Sequence, residues 1–238
     1  MLYIGTSGWN YKHWRGVFYP EGLPVGRWLE HYIKFFNCVE LNVTFYRLVK
    51  KETFQNWREK TPGDFYFVTK GSRFITHIKK LKDINQPLNL FLDNALCLKD
   101  KLASVLWQFP PSFKKDVKLL ISFFKLLKKT NLRHSFEFRN DTWFDKEIYR
   151  IFKEYNFCLC IADSARFPCQ KVVTTNFLYL RFHGAGLLYS SNYSDKELKD
   201  WARFAREFKK NKDIFAFFNN DAHGFAIKNA LRFRELLQ

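Results

Sequence analysis

Short apolar runs alternating with longer amphipathic segments set the rhythm of this chain. Strand-like runs occur at LYIGTS (2–7), CVELN (38–42), FYFVTK (65–70), SVLWQF (104–109), HSFEF (134–138), FCLCIAD (157–163), FLYLRF (177–182) and IFAFFN (214–219). They are rich in aromatic and branched residues and too short to be buried helices. Between most of them the period changes from two to about 3.6 residues. KKDVKLLISFFKLLKK (114–129) places Val117, Leu120, Ile121 and Phe124 on one helical face. SDKELKDWARFAREFKK (194–210) opens with Ser194 and Glu197, the spacing of a capping box. AIKNALRFRELL (226–237) ends the chain as a further amphipathic helix. The first crossover is less regular, interrupted by WRGVFYPEGLPVG (14–26).

Eight strand–helix units with no composition break between them predict an α/β fold, a single (β/α)8 TIM-type barrel over residues 1–238. The rival is a doubly wound open sheet, which would carry a Gly-rich nucleotide turn after its first strand. GTSG (5–8) has neither the GxGxxG nor the Walker spacing.

In such a barrel the chemistry lies at the carboxyl ends of the strands. Reading those ends in order yields Ser7 and Trp9, Glu40 and Asn42, Lys70 and Arg73, Gln108, Glu137 and Arg139, Asp163, Arg181 and His183, Asn219 and Asp221. Several come as i, i+2 pairs, which point the same way in a strand. Solubility would charge the helices rather than the strand ends, so a shared polar cup is expected. Glu40, Glu137, Asp163 and His183 are the candidate proton-handling residues. Trp9, Asn42, Lys70, Arg73, His77, Gln108, Arg139, Arg181, Asn219 and Asp221 are the candidate substrate-binding residues. His77 joins because it follows Arg73 by one helical turn.

These residue types constrain the reaction. Fixed positive charge at Lys70, Arg73, Arg139 and Arg181 suits phosphate or carboxylate, with arginine able to bind either bidentately. Crowded carboxylates have their pKa values pushed apart into acid and base roles, and His183 would titrate near neutral pH. No Ser or Cys has its own base partner, which argues against a nucleophilic triad. Carboxylates with a histidine also suit a divalent metal such as Mg, Mn or Zn, although arginines stand beside the would-be ligands. The cofactor is left open.

Composition changes this picture only in part. The net charge is +17 and 26 residues are lysine, many in clusters such as KKLK (79–82) and KKNK (209–212). Such a field attracts polyanions, but lysines on helices and turns are also ordinary solvated surface. No apolar run nears the roughly 20 residues of a membrane span, and the start MLYIGTSGWNY has no signal-peptide pattern. Five unpatterned cysteines read as free thiols. A cytoplasmic protein without a membrane partner is expected, its oligomeric state open.

The chain also resembles the YecE-like proteins, a widespread domain of unknown function. The resemblance is carried by GTSGWNYKHWRGVFYP (5–20), ELNVTFY (40–46), FVTKGSRFITH (67–77), QFPPSF (108–113), EFRNDTWF (137–144), IADS (161–164), YLRFHG (179–184) and FNNDAHGFAIKNA (218–230). It implies a TIM barrel and no particular activity. Three functions compete. The first is an enzyme acting on a phosphorylated or other anionic small molecule, of a hydrolase or isomerase type. The second is a nucleic-acid binder or metal-assisted phosphodiesterase, with Trp9, Trp14 or Tyr46 stacking on bases. The third is a barrel that binds a ligand without turnover.

Overall fold

Nine parallel strands occupy eight positions around a ring, because the sixth run is broken in two. They are β1 (Leu2–Thr6), β2 (Cys38–Leu41), β3 (Tyr66–Lys70), β4 (Leu102–Gln108), β5 (His134–Glu137), β6 (Cys158–Leu159), β7 (Ile161–Asp163), β8 (Phe177–Phe182) and β9 (Asp213–Phe218). The computed structural model describes residues 1–238. It pairs the strands as β2–β3–β4–β5–β6 and β7–β8–β9–β1. Spatial order therefore follows sequence order, and the fold is an α/β barrel of the TIM type. An open sheet reversing about a switch point is not what forms.

Two seams join the two sets of ladders, and side chains help to bridge both. Between β1 and β2, the amide of Thr6 donates to the Tyr32 hydroxyl at 3.0 Å, which donates to the Cys38 carbonyl at 3.1 Å. Lower down, Asn37 Nδ2 donates to the Leu2 carbonyl at 2.7 Å. The strands approach so closely that a Cβ on Gly5 would lie 2.2 Å from the Cys38 oxygen, so only glycine fits there. Between β6 and β7, the Cys160 amide still reaches β5 through the Phe136 carbonyl at 2.8 Å. Thr174 Oγ1 accepts from the Leu159 amide at 2.9 Å.

The helices form where the sequence periodicity puts them. α5 (Val117–Leu127) starts at Asp116, whose side chain accepts from the Leu119 amide. It buries Leu120, Phe123, Phe124 and Leu127, leaving Val117 and Ile121 half-buried at the edges of the face. α7 (Asp195–Lys209) has both halves of the capping box between Ser194 and Glu197. The last helix, Phe225–Leu237, begins after Gly224.

Inside the ring, alternate residues pack into a core of Tyr3, Cys38, Val68, Leu106, Cys158, Cys160, Ala162, Phe177, Tyr179, Phe215 and Phe217. Tyr3 stacks on Phe215 with centroids 4.3 Å apart. Aromatic rings of this size bury about 150–250 Å² each and fill the lower barrel. The cavity lined by the strand-end polar residues therefore lies toward the carboxyl ends. No helix is long and apolar enough to cross a membrane.

Candidate functional site

The strand that ends in YLRFHG supplies the centre of the site. Tyr179, Arg181 and His183 alternate with Leu180 and Phe182, so they face inward while the other two face the helices. Arg181 is fully buried and its guanidinium spans two carboxylates. One terminal nitrogen donates to Glu40 Oε1 at 2.6 Å and the other to Glu137 Oε2. Each carboxylate then accepts from further side chains. Ser7 Oγ and the Tyr179 hydroxyl each donate to Glu40 at 2.7 Å. Gln108 Nε2 and Arg139 Nε each donate to Glu137 Oε1 at 2.8 Å.

The charge states follow from this geometry. Burial alone would raise the Glu137 pKa, but Arg181 and Arg139 hold it well below the ordinary carboxylate range. Glu40 behaves alike: burial opposes ionisation, and Arg181 with Lys70 outweighs it. Burial and the Arg181 cation push the His183 pKa down to about 4. Its Nδ1 lies 3.2 Å from Asn219 Nδ2, and its Nε2 lies 3.4 Å from both Glu137 Oε2 and a terminal nitrogen of Arg181. The expected titration of His183 near neutral pH is thus corrected by its burial.

Above this floor lies a cavity of about 600 Å³. Asn42, Lys70, Gln108, Arg139 and Asn219 line it from the strand ends, and Arg73, His77 and Asp221 from the loops beyond. Tyr11, His13, Phe45, Tyr46, Tyr189 and Ala222 complete the wall. His77 sits in a π-helical turn, Phe74–Ile78, that starts beside Arg73, a local form frequent at functional sites. At the rim, Asp221 accepts from Trp14 Nε1 at 2.7 Å and contacts His13 Nε2 at 2.9 Å. Burial raises its pKa to about 6 against both of those contacts.

Lys70 differs from every other buried charge in the cup. Its backbone is fastened by Thr44, whose Oγ1 lies 2.7 Å from the Lys70 oxygen and 3.1 Å from its nitrogen. Its side chain is almost wholly buried. Its Nζ sits 4.3 Å from the centre of the Phe45 ring, and no protein oxygen accepts a hydrogen bond from it. Burial first, then Arg181, lowers its pKa to about 7, although Glu40 and Glu137 pull the other way. Burial, Lys70, Arg139 and Arg73 likewise lower His77 to about 4. The cavity is electropositive.

Most residues expected at the cup are there, at two depths. Asn42, Lys70, Arg73, His77, Gln108, Arg139, Asn219 and Asp221 line the cavity, while Glu40, Glu137, Arg181 and His183 lie beneath it. Arg181 is therefore corrected from a ligand-gripping residue to a brace between two carboxylates. Asp163 is corrected outright. Cys158, Cys160 and Ala162 are the inward residues of their run, so Asp163 turns outward toward Tyr193 and Trp201. Trp9 lies past Gly8, whose φ of +104° turns the chain. It packs edge-on against Trp57 and lines a neighbouring cavity instead.

Strand parity does not find Tyr189. It stands in the loop after Gly184 with φ of +64°, and its hydroxyl accepts from Arg139 at 3.0 Å. Such a backbone is strained for a bulky residue. No three His, Cys, Asp or Glu side chains gather as a metal-binding cluster; the Arg181 guanidinium stands between Glu40 and Glu137.

The DUF72 family, described as a protein of unknown function, matches residues 3–238. The chain belongs to the DUF72 family. Its resemblance to the YecE-like proteins has the same source. It is 28% identical to the UPF0759 protein YunF of Bacillus subtilis over 271 residues, covering all of this chain and 95% of YunF. It is 34% identical to the UPF0759 protein YecE of Escherichia coli over 113 residues, 48% of this chain and 39% of YecE. The crystal structure of a DUF72 family protein from Thermotoga maritima superposes with a TM-score of 0.88 at 32% identity, covering 100% of this chain and 99% of that one. A DUF72 family protein from Enterococcus faecalis has the same fold, with a TM-score of 0.81 at 23% identity over 100% of this chain and 97% of that one.

Proposed function

We propose that this DUF72 protein is an enzyme acting on a small anionic molecule, a phosphate or carboxylate compound, bound at the carboxyl end of the barrel. One observation carries the reading: the Lys70 side chain is almost wholly buried and its ammonium reaches the cavity with no protein hydrogen-bond acceptor. A largely desolvated charge without a protein partner is costly, and an anion in the cavity would supply the missing partner. Arg73 forms no ion pair, and Arg139 spends one donor on Glu137 and one on Tyr189. Three cations thus surround the space against one carboxylate, Asp221. Asn42, Gln108 and Asn219 add neutral polar groups that could fix orientation.

The braced floor supports the same reading. Glu40, Arg181 and Glu137 form a hydrogen-bonded network joining β2, β5 and β8, in which both terminal nitrogens of Arg181 are paired and its Nε is not. Such a network holds the strand ends, and the side chains one step further out, in a fixed geometry. Asp221 is the one lining carboxyl group whose pKa, about 6, suits proton transfer near neutral pH.

Calorimetric titration with inorganic phosphate and phospho-sugars tests the reading. Wild type is expected to bind at millimolar concentration or tighter. Lys70→Met should weaken binding about 10-fold or more, and Arg73→Gln about 3-fold. Absence of heat with every anion rejects the reading. So does tight, salt-sensitive binding of a single-stranded oligonucleotide that Lys70→Met leaves unchanged, which would place nucleic acid on the lysine-rich surface instead.

A further inference from the structure

We infer that the Lys70 amine is a covalent catalyst, forming an imine with the carbonyl carbon of a small aldehyde or ketone that also carries a carboxylate or phosphate. The inference deepens the anion reading and rests on it for the substrate class.

Three features of the position point to this chemistry. First, the amine is delivered to the cavity rather than used by the protein: no protein oxygen accepts from Nζ, and its near neighbour is the Phe45 ring at 4.3 Å. The ring face attracts the ammonium, so it is burial and the Arg181 charge that favour the neutral amine, the nucleophilic form. Second, the base of the side chain is fixed by Thr44 and by the Gly71 amide, which donates to the Leu106 carbonyl at 2.8 Å. Third, the charges around it come from every neighbouring element and are mostly positive or already paired. Arg181 lies beneath, Glu40 and Glu137 are held by Arg181, and Arg139 and Arg73 stand alongside with a neutral His77. A desolvated lysine beside other cations is a recognised way to make a reactive amine. At a pKa of about 7 roughly half the amine is neutral at physiological pH.

The step balances without an oxidant or reductant. The Nζ lone pair forms a bond to the carbonyl carbon, and the carbonyl π pair moves to oxygen, which takes up a proton. The nitrogen releases a proton, and the resulting hydroxyl leaves as water after a second protonation. The sum is amine, carbonyl and one proton giving iminium and water. Arg73 and Arg139 would hold the anionic group while the positive iminium draws electrons from the adjacent carbon. The natural classes are 2-oxo acids and phosphorylated aldehydes or ketones.

Reductive trapping tests the inference. The protein is incubated at pH 7 with sodium cyanoborohydride and one of three probes: glyoxylate, glyceraldehyde 3-phosphate or uncharged glycolaldehyde. Adducts are located by peptide mass mapping. The expected result is a principal adduct on Lys70, formed about 30-fold faster than on the average surface lysine: its neutral fraction at this pH is roughly 1,000-fold larger, and the weaker nucleophilicity of a low-pKa amine offsets part of that. Lys70→Met should lose it. Arg73→Gln, an exposed position with no ion pair, should slow trapping of the two anionic probes but not of glycolaldehyde.

The charged probes also separate the two sources of negative charge, since preference for glyoxylate indicates carboxylate and preference for the phosphorylated aldehyde indicates phosphate. Adducts spread over surface lysines alike in wild type and Lys70→Met overturn the inference. Phosphate binding by calorimetry with no adduct on Lys70 rejects the imine and leaves the anion reading standing. A Lys70 adduct indifferent to probe charge and to Arg73→Gln rejects both the proposed substrate class and the anion reading, and retains only a reactive amine.

Discussion

Lys70 and Arg181 are two cations buried at the same end of one barrel, yet only Arg181 is met by carboxylates. The guanidinium has Glu40 on one side and Glu137 on the other; the ammonium has an aromatic ring and open cavity. Opposite effects on stability follow from that asymmetry.

For Lys70, replacing a partly desolvated charge that has no protein partner with an apolar chain of similar length should stabilise the fold. Lys70→Met is expected to raise unfolding free energy by about 1–3 kcal/mol at pH 7, measured by urea denaturation without added anions. The effect has a defined pH window. The Lys70 pKa falls from 10.5 to about 7 on folding, so between those values the unfolded chain binds the extra proton. Wild-type stability contributed by this group therefore rises as pH increases from 7 to 10.5. The advantage of Lys70→Met should be full below pH 7 and shrink as pH rises.

For Arg181, truncation leaves two carboxylates without their shared cation. Arg181→Ala should destabilise by about 3–5 kcal/mol. Arg181→Lys should recover little of this, since one ammonium cannot reproduce a planar fork bonded at both ends. The carboxylates set the acid limb: their lowered pKa values contribute stability present above the ordinary carboxylate range and lost as pH falls through the folded values. Urea titrations across acid pH for wild type and Arg181→Ala check this, and the variant should show a shallower acid loss.

The β1–β2 seam makes a separate prediction. Gly5→Ala would press a methyl group against the Cys38 carbonyl and the Tyr32 hydroxyl that bridges the strands. A loss of about 2–3 kcal/mol is expected, with Tyr32→Phe also destabilising because the Thr6 amide loses its acceptor. Thermal melts of both variants check it.

How far the sequence could be read depended on where alternation applies. It pairs Arg181 with His183 and Glu137 with Arg139, and it extends to Tyr179 and Ser7, which complete the Glu40 shell. Depth was not legible. Alternation specifies a face but not whether a side chain ends in the floor or in the cavity, so Arg181 read as a ligand contact like Arg139. Asp163 fell to the same rule properly applied, because Cys158, Cys160 and Ala162 mark the inner face one residue out of step. Trp9, Tyr11 and Tyr189 lie on loops, where no period reports direction, and only the folded chain shows which of them reach the cup.

Asp163 supplies a control for the site itself. It stands outside the ring, near Tyr193 and Trp201, so Asp163→Asn should leave phosphate affinity unchanged within about 2-fold. A loss comparable with that of Lys70→Met would mean that the site extends through the barrel wall.

The most direct measurement is a pH titration of the Lys70 side chain by NMR on lysine labelled at Cε, in the absence and presence of inorganic phosphate, with Lys70→Met used to assign the signal. A cavity that leaves this ammonium unpaired for an anion predicts a pKa near 7 that phosphate moves upward. A Lys70 that titrates at its ordinary 10.5 and does not respond to phosphate would contradict the account.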